Sequence, residues 1–265
     1  MQLVLSRTNM VYRRAEAWRP PLFQSPDSIA QRGVAALRRM LDLQASSIWR
    51  DLSALLPQVR GSVLDVGCGA QPYRPLVGPQ ATYIGIDTVE SKAHFGYELP
   101  GVLYFSGDTW PVVDSSVDLV LCTETMEHVA NPDVLLNEIS RCLVPGGTAL
   151  LTVPFAARWH FIPYDYWRFT PSGLERLLKN AGFGNIRVYA RGNAATVACY
   201  KVMALILRLA LPQNSALPLR LLLQVCSLPL LPVLLAIALL AQASLWGKGG
   251  DDCLGYTVLA EKGLP

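Results

Sequence analysis

The chain has 265 residues, of which 51% are apolar and only 16% charged, with a mean hydropathy of +0.29; this excludes a disordered or tail-like class and leaves more apolar surface than one core absorbs, so contact with lipid or a partner is expected. A net charge of +3 is too weak to argue for nucleic acid, and it is uneven: residues 1–60 hold nine Arg against four acids, leaving 14 bases and 16 acids for the rest. The length suits one large α/β domain with an appendage.

Residues 28–56 carry Val34, Leu37, Leu41, Leu43 and Ile48 at roughly helical spacing, which predicts one or two leading helices. The period then changes. Short apolar runs at 62–66, 82–86, 103–106, 118–122, 148–153 and 185–190 read as strands separated by helices or loops, the alternation of a mostly parallel sheet. Asn131-Pro132 opens a helix bearing Val134, Leu135, Ile139, Cys142 and Leu143 that stops at Pro145-Gly146-Gly147; Thr170-Pro171 opens another that ends at Ala181-Gly182. Between 194 and 246, 38 of 53 residues are apolar, with Lys201, Arg208 and Arg220 the only charges. One more strand follows at 255–260, so this apolar block is an insertion between strands. The expected division is an N-terminal helical region over 1–60, a ligand-binding core over 61–192, the insertion over 193–250, and the last strand with the C-terminus over 251–265. The six cysteines are far apart without a CxxC, which suggests neither a disulfide framework nor a zinc site and fits a reducing cytosol. The first residues lack the apolar stretch of a signal peptide, so export by that route is not expected.

Val63-Leu64-Asp65-Val66-Gly67-Cys68-Gly69 reads as a buried strand running into a glycine loop and then a helix; Gly67 and Gly69 let the main chain turn and approach a ligand with no Cβ in the way. The dinucleotide fingerprint needs glycine where Pro72 stands, which disfavours a nicotinamide or flavin enzyme. Asp87 ends the second strand, placed to accept from ribose hydroxyls, and Asp108-Thr109 follows the third, placed to accept from an adenine amino group. Three acids at neighbouring strand ends suit a cationic ligand with a ribose and an adenine.

In this order LDVGCG (64–69), GID (85–87), GDTWPVVDSSVDLVLCTETMEHV (107–129) and LNEISRCLVPGGTALLTVP (136–154) resemble the class I S-adenosylmethionine-dependent methyltransferases. The resemblance implies a Rossmann-like seven-stranded sheet, its last strand antiparallel, with helices on both faces and here an apolar helical insertion before that strand. It implies S-adenosylmethionine as cofactor, with Asp65, Gly67, Cys68, Gly69, Asp87, Asp108, Thr109 and Thr123 lining its pocket. The segment 160–170 resembles a bacterial subgroup with an HxxPxDYWRFT loop, often met near envelope-glycan genes.

A sulfonium is already a good leaving group, so the protein mainly has to align the acceptor, with a base needed only for a protonated one. His128 and His160 are the candidate catalytic residues. If 123–128 continues as a helix, Glu124, Glu127 and His128 share one face. That spacing resembles the metal-binding version in quinone-biosynthesis and small-RNA 2′-O-methyltransferases, completed by His160; metal-free relatives share the Glu-His pair, and no metal is assigned. Asp165 and Arg168 lie in an aromatic-rich acceptor-side loop or simply pair.

From 221 to 247 the chain carries 27 consecutive uncharged residues, long enough as a helix to cross a hydrocarbon core of about 30 Å, though Pro229 and Pro232 would kink it. Because strands flank the insertion, a single crossing is excluded, leaving a hairpin, a re-entrant segment or an in-plane anchor. The expectation is O-methylation of a lipid-linked, glycan or other amphipathic acceptor at the cytosolic side of the plasma membrane, without nucleic acid. The alternative is a non-catalytic membrane-anchored scaffold of the same fold.

Overall fold

A computed structural model describes residues 28–211 and 216–264; residues 1–27, nearly half of the expected N-terminal region, lie outside the described residues. Two leading helices, α1 (Ile29–Leu41) and α2 (Leu43–Leu55), precede β1 (Gly61–Val66), β2 (Ala81–Thr88), α3 (Val89–Phe95), β3 (Val102–Phe105) and β4 (Val117–Thr123). Then come α4 (Pro132–Cys142), β5 (Leu143–Pro154), α5 (Pro171–Asn180), β6 (Phe183–Arg191), α6 (Ala194–Ala210), α7 (Leu217–Ser227), α8 (Leu231–Ser244) and β7 (Gly255–Lys262).

The seven strands form one sheet in the order β3-β2-β1-β4-β5-β7-β6, with β7 antiparallel to both β5 and β6. Strand order reverses between β1 and β4, the crevice where open α/β sheets take ligands. Alternation along the strands sorts side chains to two faces. Leu64, Val66, Val120 and Leu151 pack with Leu136 and Ile139 of α4 and Leu174 of α5. Val63, Leu119, Leu121 and Leu150 pack with Ile48 and Leu52 of α2.

Local boundaries follow from side-chain chemistry. Thr170 caps α5 by accepting from the Gly173 N–H, with Pro171 in the first turn. Asn131 precedes α4 without a side-chain cap bond, and the chain enters β5 at Leu143, before Pro145-Gly146-Gly147, because the Leu143 end already pairs with Val117. Gly146 then turns at φ +76° within the strand. The expected helix after the glycine loop is absent: Pro72 and Pro75 interrupt it, leaving a single 3₁₀ turn at Arg74–Leu76. The sheet face there is covered instead by α2, which packs with Tyr73, Leu76 and Val77.

Helices α6 and α8 meet along a seam of Val197, Met203, Ile206, Leu234, Ala238 and Ala241, seated on Leu43 and Leu254. The stretch Leu217–Ser244 is one 28-residue apolar helical run, and within it an 18-residue stretch has a mean hydropathy of 2.3 and is 17% buried. Pro229 does not end it; the α ladder gives way to one 3₁₀ turn at Leu228–Leu230, where the missing donor costs least. Lys201 is tied down, its Nζ donating to the Ala156 carbonyl at 2.6 Å.

Candidate active site

The carboxyl ends of β1 to β4 open onto a cavity of about 1780 Å³, larger than the roughly 300–1,000 Å³ of an ordinary single-ligand pocket. Gly67 turns at φ +65°, and a Cβ there would lie 2.4 Å from Thr125 Cγ2, so the position admits only glycine. The N–H groups of Gly67 and Cys68 donate to the Ile86 carbonyl at 3.0 and 3.2 Å. The Gly69 N–H donates to Asp87 Oδ2 at 2.9 Å and the Thr88 N–H to Oδ1 at 2.8 Å, so the second-strand acid and the glycine loop hold one another. Burial raises the Asp87 carboxyl above its ordinary range, partly offset by these donors.

Gly67, Cys68, Gly69, Asp87, Asp108 and Thr123 all line this cavity. Asp87 and Asp108 therefore face one space. Cys68 contributes its backbone; burial pushes its thiol up, keeping it protonated. Asp65 and Thr109 do not line the cavity. Strand alternation turns Asp65 beneath the loop, where Oδ2 accepts from the Tyr83 hydroxyl at 2.5 Å while Oδ1 lacks a partner, and burial pushes its carboxyl up to about 7. Gly107, at φ +82°, turns the loop so that Thr109 is exposed.

The expected helix face of Glu124, Glu127 and His128 does not form. Glu124 adopts φ +48° and is followed only by a 3₁₀ turn at Met126–His128. Its carboxylate is captured by Arg191, a fully buried guanidinium whose Nη2 reaches Glu124 Oε1 at 2.8 Å and the Val153 carbonyl at 3.0 Å, while Nη1 donates to Ser47 Oγ at 3.3 Å. His160 does join Glu127 and His128, as the resemblance implied, while Glu124 does not: ligand atoms of these three lie within 4.8 Å of one another, and the imidazole centroids of His128 and His160 are 5.0 Å apart. Both oxygens of Glu127 are buried without a partner, and burial raises this carboxyl well above its ordinary range. Two imidazoles and a partnerless carboxylate are a donor set that fits a divalent ion as well as it fits a protonated acid.

His128 Nδ1 lies 2.9 Å from the Tyr164 carbonyl, which assigns the proton to Nδ1 and leaves Nε2 an acceptor, 3.6 Å from Glu127 Oε1. Burial pushes His128 down to about 4, so the ring is neutral at ordinary pH. The aromatic loop does pair its ions: Arg168 grips Asp165 with both nitrogens at 2.6 and 2.8 Å, and Asp165 also accepts from the His160 N–H at 3.0 Å. The pairing serves the site, because the loop is then tied to the 3₁₀ turn through Tyr166 N–H to the Glu127 carbonyl (2.9 Å) and Trp167 Nε1 to the Val129 carbonyl (2.9 Å).

Sequence reasoning missed His94, Arg191 and the lining face of α1. All three histidines of the chain line this cavity. Their scarcity was the available signal for His94, which stands edge-on to Phe161 at 4.5 Å. For Arg191 none existed, since only the sheet brings β6 beside Glu124.

Among curated proteins, an uncharacterized methyltransferase of Mycobacterium sp. (strain JLS) is 30% identical over 156 residues, covering 56% of this chain and 62% of that protein. A fatty-acid O-methyltransferase of Mycolicibacterium smegmatis is 34% identical over 103 residues, 34% of this chain and 36% of that protein. The chain thus spans about a third to two thirds of the length of the curated relatives it matches. The crystal structure of the cyclase SpnF shares the fold at TM-score 0.50 and 19% identity, covering 84% of this chain and 83% of that one. The sequence profile of the methyltransferase domain matches residues 38–188, more than half of the chain. With the sheet order and the strand-end cleft above, the chain belongs to that family, the S-adenosylmethionine-dependent methyltransferases, and S-adenosylmethionine is its cofactor.

Proposed function

We propose that this protein methylates an oxygen of an amphiphilic, lipid-linked or glycan-bearing acceptor at the cytosolic surface of the plasma membrane. The observation that supports this reading is the continuity of one cavity with one apolar block. Acids at the sheet edge and three imidazoles line the cavity, and its rim helix α1 is fastened to α8, where Gln242 Nε2 donates to the Met40 carbonyl at 3.1 Å. The outer side of that block leaves Leu222 58% and Leu240 65% exposed, an apolar surface suited to lipid. The loop spanning His160 to Thr170 supplies the acceptor side.

In the transfer, the acceptor oxygen forms a bond to the methyl carbon as the carbon–sulfur bond breaks and a neutral thioether departs. The hydroxyl proton passes to Nε2 of His128, the free acceptor held by the Tyr164 carbonyl on the other nitrogen. Asp87 and Asp108 orient the cofactor, and the Gly67–Gly69 backbone admits it closely.

The test is labelled-methyl transfer from S-adenosylmethionine into a membrane lipid extract, with the protein purified from membranes. Transfer into the extract is expected, reduced about 10²- to 10⁴-fold in His128→Ala. Label confined to water-soluble acceptors, or an unaltered rate in the variant, overturns the reading. Leu222→Asp/Leu240→Asp is expected to move the protein from the membrane pellet to the supernatant.

A further inference from the structure

The cavity is charged asymmetrically. Its sheet-edge wall presents Asp87 and Asp108, matched to a cationic cofactor. Its opposite wall is one face of α1, where Gln31, Val34, Ala35, Arg38 and Arg39 recur at helical spacing. Among the described residues neither Arg38 nor Arg39 has an ion pair, although both line the cavity. Arg39 is aimed by stacking, its guanidinium 4.9 Å from the Trp49 ring centroid, and Trp49 lines the cavity too. The acid on this side, Asp42, is occupied capping α2 through the Ala45 N–H at 3.1 Å. The cofactor carries a sulfonium and a self-balanced ammonium–carboxylate end, so it brings no net negative charge to match two guanidinium groups.

We infer that Arg38 and Arg39 hold the anionic group, a phosphate, phosphodiester or carboxylate, of an amphiphilic acceptor whose apolar part lies along Val34 and Trp49. This rests on the cavity being the methyl-transfer site proposed above. Paired planar guanidinium groups suit an oxyanion, and the α1 end that bears them is the end joined to the apolar block, so an anion at lipid-headgroup depth reaches them without leaving the surface.

The test uses the full chain and three probes read by calorimetry: dodecyl phosphate below its micellar concentration, the uncharged dodecyl maltoside, and inorganic phosphate. Dodecyl phosphate is expected to bind about tenfold more tightly than dodecyl maltoside, with affinity falling as salt rises. Arg38→Ala/Arg39→Ala is expected to erase that preference while S-adenosylmethionine binding stays within about twofold, and Arg38→Lys/Arg39→Lys to retain part of it. Both arginines are exposed on α1, so the variants keep the fold, checked by circular dichroism. Equal binding of the charged and neutral amphiphiles, or a preference that survives in the double alanine variant, overturns the inference. Inorganic phosphate binding as tightly as dodecyl phosphate overturns its amphiphile half. Failure of the wild type to bind S-adenosylmethionine sinks the methyl-transfer reading instead, whatever the arginines do.

Discussion

Leu136 of α4 and Leu240 of α8 both sit on helices packed against a neighbour, yet the first is fully buried and the second 65% exposed. Around the sheet, every apolar face has a layer over it: α4 and α5 on one side, α2 on the other. In the α6–α8 block a single seam is closed, and the remaining apolar side chains point outward. The same residue types thus meet protein in one region and an open surface in the other. Burial against protein stabilises the sheet region by itself, whereas the outer block gains comparable free energy only where its surroundings are also apolar.

Arg191 stands at the junction of these regions, at the end of β6 just before α6, and the largest effect is expected there. Arg191→Ala leaves Glu124 facing a cavity without its counter-charge and is expected to cost about 3–5 kcal/mol in urea unfolding of the detergent-solubilised protein. A loss below about 1 kcal/mol would mean that the junction is not held by this pair.

Next comes the direct contrast of the two leucines. Leu136→Ala is expected to cost about 2–5 kcal/mol by the same measurement, and Leu240→Ala less than about 0.5 kcal/mol. Equal costs would show that the outer surface of α8 is packed as firmly as the sheet and would break the comparison.

The smallest effect sharpens the cofactor side. The folded Asp65 carboxyl titrates at about 7 against 3.8 for the free group, so between those values the folded chain holds a proton that the unfolded chain has released. Stability therefore falls as pH rises through that window and levels off above it. The change between about pH 5 and pH 7 is expected to be about 2 kcal/mol, and Asp65→Asn should flatten it in thermal melts. A stability that rises over the same range in the wild type would refute the assignment.

Much of the sheet was legible because strands speak through runs of apolar residues bounded by turns. Each of the seven was found with its ends displaced by a few residues at most, the exception being β5, which starts at Leu143 rather than 148 because pairing with Val117 extends it past the glycines. The acids at 87 and 108 were legible as strand-end residues, and the structure sets both on one cavity. Asp65 was readable as part of the same pattern, but its side-chain direction depends on the pleat, which sends it under the loop towards Tyr83. The helix after the glycine loop was misjudged although Pro72 and Pro75, which interrupt it, stand in the sequence; only the covering of the sheet there by α2 was out of local reach.

The amino-acid order alone determined the alternation of strands and helices, the glycine turn, the strand-end carboxylates and the length of the apolar insertion, since each depends on periodicity or on residue type within a few neighbours. The tertiary structure decided which charges meet. Arg191 lies 67 positions from Glu124 and takes its carboxylate, so Glu124 stays out of the group that Glu127, His128 and His160 form. It also turned one face of α1 into a cavity wall. Contacts of that kind arise from chain elements distant in sequence, and no spacing rule encodes them because the sheet order and the packing of helices upon it set the distances.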